Sequence, residues 1–208
     1  MITRRAEILP GFRHWPQMLD TRQQQALSGA IRAIVAEAPL FVPEMPKTGT
    51  PMSVRMTNCG PLGWVTDRDR GYRYQSLHPV TAKPWPPIPP ILLELWERLA
   101  DWPHPPEACL VNFYGPDARM GMHQDRDEAD LSAPVLSVSL GDDAMFRIGG
   151  TARGGASTGI RLVSGDVLLL GGESRMAFHG VSRIYPGTSP LLRAPGRINL
   201  TLRRVTRP

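Results

Sequence analysis

A mainly β fold with flanking helices is predicted by three observations. After Pro106 the chain runs in short apolar segments, "ACLVNFY", "PVLSVSLG", "MFRIGG", "IRLVSGDVLLLGG" and "RINLTLRRV", parted by Gly, Pro and Asp turns. Two segments before Pro106 carry apolar residues at helical spacing. No apolar stretch approaches the roughly 18 residues that a membrane span needs. Short strands at this spacing argue an antiparallel sandwich or barrel. The 208 residues suit a single domain, 1–208, with a sizeable core.

The elements follow in order. From Asp20, "DTRQQQALSGAIRAIVAEAP" sets Ala26, Leu27, Ala30, Ile31, Ile34 and Val35 at helical spacing; Thr21 and Gln24 fit a capping box, and Pro39 closes the segment. Residues 43–84 scatter Gly, Pro and aromatics without a clear period, which predicts loops and short hairpins. A second helix follows "PWPPIPP" as "ILLELWERLADW", with Ile91, Leu92, Leu95 and Leu99 on one face. The β segments come next, and "GGTARGGASTG" is expected to be a mobile hairpin loop. There is no internal repeat and no low-complexity tail.

Composition narrows the function. Hydrophobic residues are 41% and charged residues 21% of the chain, an ordinary globular balance. The basic opening "MITRRAEILPGFRHW" lacks a secretory apolar region, and Cys59 and Cys109 form neither a CxxC pair nor a disulfide framework. A reduced, cytoplasmic protein with no membrane partner is expected, monomeric by default. The net charge is +5, and all 24 basic residues except Lys47 and Lys83 are arginine. Arginine suits phosphate and carboxylate recognition, so nucleic acid is a candidate partner. A G- and C-rich coding sequence would also raise arginine together with proline, of which there are 22, but would not explain the excess of bases over acids.

Three constellations carry chemistry. In "HQDRD", His123, Asp125 and Asp127 would share a face if the segment is extended. His123 and Asp125 form an H-x-D pair, and His179 follows in "SRMAFHGV". Two imidazoles and a carboxylate make the facial triad that suits Fe(II) and leaves three positions open. An isolated H-x-D is more often a solvated loop or a capped histidine. Here "SGDVLLLGG" supplies a turn and a buried strand that can return His179 to the pair, as a jelly roll allows. In "RINLTLR", Arg197, Asn199, Thr201 and Arg203 alternate with Ile198, Leu200 and Leu202. Two arginines on one face are either solvated or grip an anion, and a dicarboxylate is the sharper option. Asn112 and Tyr114 in "LVNFYGP" have matching parity and can add hydrogen bonds.

Taken in order, "MSVRMTNCGPLGW", "HQDRDE", "APVLSVSLG", "GDVLLLGGESRMAFHG" and "RINLTLR" resemble the AlkB family of Fe(II) and 2-oxoglutarate-dependent dioxygenases, its bacterial members above all. The resemblance spans roughly residues 50–205. It implies a double-stranded β-helix (jelly-roll) core over 106–205, a nucleotide-recognition lid and helix over 46–105, and an N-terminal helical segment over 1–45. It implies that His123, Asp125 and His179 bind Fe(II), that Arg197, Asn199 and Tyr114 hold the distal carboxylate of 2-oxoglutarate, and that Arg203 and Asn112 lie near its keto-acid end, Arg203 counting also among the catalytic groups. Trp64 would stack on the base, Tyr72 would contact the phosphate backbone, Arg153 would touch the nucleotide, and Asp127 would meet a cationic base.

The implied reaction consumes O₂ and 2-oxoglutarate and releases succinate, CO₂ and formaldehyde. Its substrates are 1-methyladenine and 3-methylcytosine in single-stranded or duplex DNA, and in RNA. Two departures fall on the lid: "WVTDRDRGY" is one residue longer than in related bacterial sequences, and Thr50 with Pro51 replaces an aromatic before "MSV". Both lie where the substrate is gripped, away from the iron and cosubstrate residues. The alternatives are an oxygenase acting on a protein, lipid or small molecule through the same core, and a nucleic-acid-binding module or zinc protein on the same fold. The arginine strand argues against the zinc protein, because zinc needs no dicarboxylate pocket.

Overall fold

The structure, a computed structural model, describes residues 9–207. Its elements are β1 (Phe12–Trp15), α1 (Thr21–Glu37), β2 (Val54–Cys59), β3 (Gly63–Val65), β4 (Arg73–Gln75), α2 (Pro90–Leu99), β5 (Ala108–Tyr114), β6 (Met120–His123), β7 (Val135–Gly141), β8 (Asp143–Gly149), β9 (Ser157–Leu162), β10 (Val167–Leu170), β11 (His179–Tyr185) and β12 (Arg197–Arg203). A short 3-10 turn, Gly172–Met176, precedes β11. The first eight residues of the N-terminal segment, with most of its basic opening, lie outside the described residues.

All strand pairs are antiparallel, in a six-stranded sheet ordered β1-β10-β7-β12-β5-β2, a four-stranded sheet ordered β6-β11-β8-β9, and the separate β3-β4 hairpin. The two larger sheets make the jelly roll. Strand alternation decides what each face does. On β12, Ile198, Leu200 and Leu202 pack with Leu27, Ile31 and Ile34 of α1 and with Leu92, Leu95, Trp96 and Leu99 of α2. Arg197, Asn199, Thr201 and Arg203 point the other way and line a cavity between the sheets. The helices therefore close the outer face of the larger sheet and leave its inner face to chemistry. Burying a leucine such as Leu92 contributes about 1.5–3 kcal/mol, and it is fully buried.

Local departures from the sequence expectation have physical causes. The cap of α1 sits one residue earlier than Thr21. Asp20 accepts from the Gln23 backbone N–H at 2.8 Å, and the Gln23 side chain accepts from the Asp20 N–H at 3.0 Å. Asp20 leads because its carboxylate accepts better than a hydroxyl and favours the positive helix end. Ala26 lies exposed, just off the buried stripe of Leu27, Ile31 and Ile34.

Strands β1, β2 and β6 were not expected as strands of these sheets, and β11 was expected only as the neighbouring strand that brings His179 to the pair. "FRHW" and "MGMH" are four residues long, "VRMTNC" mixes polar residues into an edge, and "HGVSRIY" exposes Ser182 and Arg183. Such short or mixed runs have weak period-two signals. As a result the segment expected to be helical also supplies an edge strand, and β2 extends the core sheet beyond residues 106–205. Among the described residues, no helix is long and apolar enough to cross a membrane.

Candidate metal and cosubstrate site

His179, the first residue of β11, stands directly opposite His123, the last residue of β6. The strands come unusually close here: a Cβ on Gly180 would lie 2.6 Å from the Met120 carbonyl oxygen, so only glycine permits the approach. Beyond His123 the chain leaves the strand, so Asp125 reaches the histidines through a loop and not through strand parity. Its Oδ1 lies 3.6 Å from His123 Nε2 and its Oδ2 lies 3.6 Å from His179 Nε2. Ligand atoms of the three residues fall within 4.8 Å of one another, and no other such cluster of His, Cys, Asp or Glu occurs among the described residues.

The hydrogen bonds prepare these groups for a cation. His123 Nδ1 donates to the Gly121 carbonyl at 2.8 Å, and His179 Nδ1 donates to the Ala177 carbonyl at 3.0 Å. A carbonyl can only accept, so each Nδ1 carries a proton, and in its neutral form each ring directs the Nε2 lone pair inward. Burial alone would raise the Asp125 pKa, but the Arg203 guanidinium and the two imidazoles outweigh it and hold the carboxyl well below the usual range. Two lone pairs and a carboxylate suit Fe(II).

Arg197 is a buried cation short of partners. It is 1% exposed, and its Nη2 donates to Ser139 Oγ at 2.8 Å. Its Nε and Nη1 find no partner among the described residues. Leaving guanidinium donors dry and unpaired is costly, and a bound carboxylate would satisfy both at once. Tyr114 faces Arg197 across β5 and β12, its ring centroid 5.9 Å from the guanidinium carbon. Burial pushes the Tyr114 hydroxyl up to about 12, so it stays protonated and able to donate. Asn112 Oδ1 is likewise buried without a partner. By contrast, Asn199 is engaged within its own sheet, donating to Ser137 Oγ at 2.7 Å and accepting from Thr201 Oγ1 at 3.1 Å.

Arg203 is heavily committed. It bonds Asp125 Oδ1 at 2.8 Å, Glu128 Oε1 at 2.8 Å and the Tyr74 hydroxyl at 3.2 Å, leaving Nε unpartnered. The triad, Arg197, Asn112, Tyr114, Asn199 and Arg203 face one cavity of about 770 Å³ that reaches from the triad to the β3-β4 hairpin. Trp64 and Tyr72 form its aromatic wall, their rings stacked at 5.5 Å and 21°. Trp64 is the inner ring, 8% exposed, and donates its indole N–H to Asp127 Oδ2 at 2.8 Å; Tyr72 is the outer ring, 44% exposed. Arg153, in the loop joining β8 and β9, reaches the same rim and lies over Phe178 with 5.1 Å from guanidinium carbon to ring centroid.

Every residue singled out from the sequence therefore lines one cavity. Three others in the same network were not expected. Glu128, Arg175 and Tyr74 form a buried polar cluster beneath Asp125. Glu128 lies inside "HQDRDE" and Arg175 inside "GGESRMAFHG", so the segments carried a signal, but their link to Asp125 depends on the tertiary fold.

The model of the 2OG-Fe(II) oxygenase superfamily matches residues 11–203. The chain belongs to that superfamily. Within it, the chain is 54% identical over 204 residues to an alpha-ketoglutarate-dependent dioxygenase AlkB homolog of Caulobacter vibrioides (strain NA1000 / CB15N), covering 98% of this chain and 92% of that protein. It is 46% identical over 160 residues to the alpha-ketoglutarate-dependent dioxygenase AlkB of Escherichia coli (strain K12), covering 75% and 73% of the two chains. The solved structure of OsALKBH1 superposes with a TM-score of 0.79 at 32% identity, covering 95% of this chain and all of that one. This 2OG-Fe(II) oxygenase is thus a member of the AlkB family, a dioxygenase that uses Fe(II), 2-oxoglutarate and O₂.

Proposed function

We propose that this dioxygenase removes alkyl groups from the ring nitrogens of damaged bases in DNA and RNA, with 1-methyladenine and 3-methylcytosine as its principal lesions. The observation that carries this is one cavity in which an iron-type triad, a partner-short buried arginine and an aromatic wall with a carboxylate at its edge lie together.

His123, Asp125 and His179 would hold the iron, which when bound supplies the oxidation of a substrate C–H bond at the expense of O₂ and 2-oxoglutarate. Arg197 would grip the distal carboxylate of 2-oxoglutarate through its unpaired donors, with the Tyr114 hydroxyl and Asn199 beside it. Asn112 would serve the keto-acid end. Arg203 neutralises Asp125 and fixes which carboxylate oxygen stays available. A hydroxylated methyl group on a ring nitrogen is unstable and collapses to formaldehyde and the unmodified base, so no strand is cut.

A base stacked in a duplex cannot reach a cavity this deep, so the nucleotide must be extruded or single-stranded. The Trp64–Tyr72 pair gives it a flat wall, and Arg153 with the net positive charge attracts phosphate. Asp127 is held by Trp64 in a pocket where a carboxylate favours the cationic lesions over neutral bases. In this scheme residues 46–105 form the lid and helix, 106–205 the catalytic core, and 1–45 an N-terminal segment.

A matched set of single-stranded and duplex oligonucleotides of DNA and RNA, each with one methylated base, tests the substrate class by product mass. Restoration of the base on at least one of them is expected. No change on any of them, with turnover of a methylated protein, lipid or small molecule, would assign the core to another substrate.

A further inference from the structure

We propose that Glu128 is a positioning residue for the metal-binding Asp125, acting through Arg203 and Arg175. The Glu128 side chain has no solvent exposure, and all its partners are donors. Oε1 accepts from Arg203 Nη1 at 2.8 Å and from the Tyr74 hydroxyl. Oε2 accepts from Arg175 Nη2 at 2.9 Å. The two guanidiniums then turn to the same residue. Arg203 Nη2 bonds Asp125 Oδ1 at 2.8 Å, and Arg175 Nη1 donates to the Asp125 backbone carbonyl. Asp125 is thereby fixed at both side chain and main chain by two arginines that Glu128 holds at a set spacing. Arg175 is itself anchored to the Ala133 carbonyl at 2.8 Å and is 2% exposed.

The charges make the arrangement specific. Two carboxylates and two guanidiniums cancel before any cation enters, so a divalent ion adds its charge to a neutral cluster. Without the Glu128 charge the cluster would be positive beside the cation. Glutamine, although isosteric, cannot replace it either. Its amide has one acceptor, whereas both Glu128 oxygens face guanidinium donors, so either orientation points an NH₂ at an arginine. The same network receives the β3-β4 hairpin. Trp64 and Tyr74 are directly opposed on it, and their polar groups grip the consecutive carboxylates Asp127 and Glu128. The hairpin wall and the metal ligand therefore share one anchor.

The inference rests on His123, Asp125 and His179 holding the metal. Titrating the full chain with Co(II), without nucleic acid, and following visible absorption tests both. Glu128→Gln is expected to weaken Co(II) binding about tenfold, within the range for groups that orient metal ligands, and to change the ligand-field bands. Tyr74→Phe removes one donor while keeping the carboxylate and both arginines. It is expected to weaken binding by a smaller factor, about threefold, and it decides the matter if Glu128→Gln does not fold. His179→Ala is expected to abolish the bands. Wild-type affinity and spectrum in folded Glu128→Gln, or in Tyr74→Phe where that variant decides, would overturn the role of Glu128 if His179→Ala has lost binding. Wild-type binding by His179→Ala would overturn the triad itself.

Discussion

His123 and His179 are directly opposed residues of β6 and β11, with ring centroids 4.6 Å apart and a carboxylate oxygen of Asp125 at 3.6 Å from each Nε2. That relationship fixes a three-donor face at the mouth of the jelly roll, with the proton of each ring turned away to a backbone carbonyl.

Removing one donor removes the chemistry without removing the fold. The His123 side chain is 39% exposed and belongs to neither main core cluster. His123→Ala is expected to abolish 2-oxoglutarate decarboxylation while leaving the far-ultraviolet circular dichroism unchanged. Wild-type CO₂ release from this variant would remove iron from the triad.

Arg197 separates function from stability. Its guanidinium is buried, with Ser139 Oγ as its hydrogen-bond partner and two donors unpaired among the described residues. Burial lowers its pKa, a sign that the site disfavours the charge. Arg197→Met keeps most of the volume and removes that penalty, so the ligand-free protein is expected to melt no lower than wild type. Binding of 2-oxoglutarate should weaken by about 2 kcal/mol or more, roughly 30-fold in KM. A lower melting temperature with unchanged KM would make Arg197 a structural residue.

Asp127 governs which base is chosen. Asp127→Ala is expected to lower kcat/KM for 1-methyladenine about tenfold relative to a neutral methylated base, the scale of one lost charge-assisted contact. Competition between the two oligonucleotides measures it. An unchanged ratio would leave Asp127 with only its bond to the Trp64 indole.

Acid should loosen the metal-free protein through Glu128. Burial alone would raise the Glu128 pKa, but Arg203 and Arg175 hold it below the ordinary 4.5. A carboxylate depressed on folding contributes stability that is present above that ordinary value and is lost as pH falls through the lower native one. Urea unfolding with chelator present should therefore show a midpoint that falls below pH 4.5, and Glu128→Gln should flatten that part of the profile. Parallel profiles for both proteins would contradict it.

Much of this site was legible in the chain itself. The alternation of Ile198, Leu200 and Leu202 with Arg197, Asn199 and Arg203 separates a helix-facing side from a cavity-facing side, and the structure keeps that division. The triad residues were visible as residue types, although Asp125 joins them through a loop. Trp64 and Tyr72 were visible as aromatics, but nothing in the sequence says that one ring covers the other. The roles of Glu128, Arg175 and Tyr74 were hidden because they depend on contacts spanning 47 and 54 residues. Strands β1, β2 and β6 escaped because mixed or four-residue segments carry little periodicity.

The most direct measurement is formaldehyde release from a single-stranded DNA oligonucleotide bearing one 1-methyladenine, incubated in air with the protein, Fe(II) and 2-oxoglutarate. The expected result is one formaldehyde for each base restored, with succinate formed in step and no release when 2-oxoglutarate is omitted. Absence of formaldehyde from this oligonucleotide, under conditions where the same preparation oxidises a methylated protein, lipid or small molecule, would contradict base demethylation.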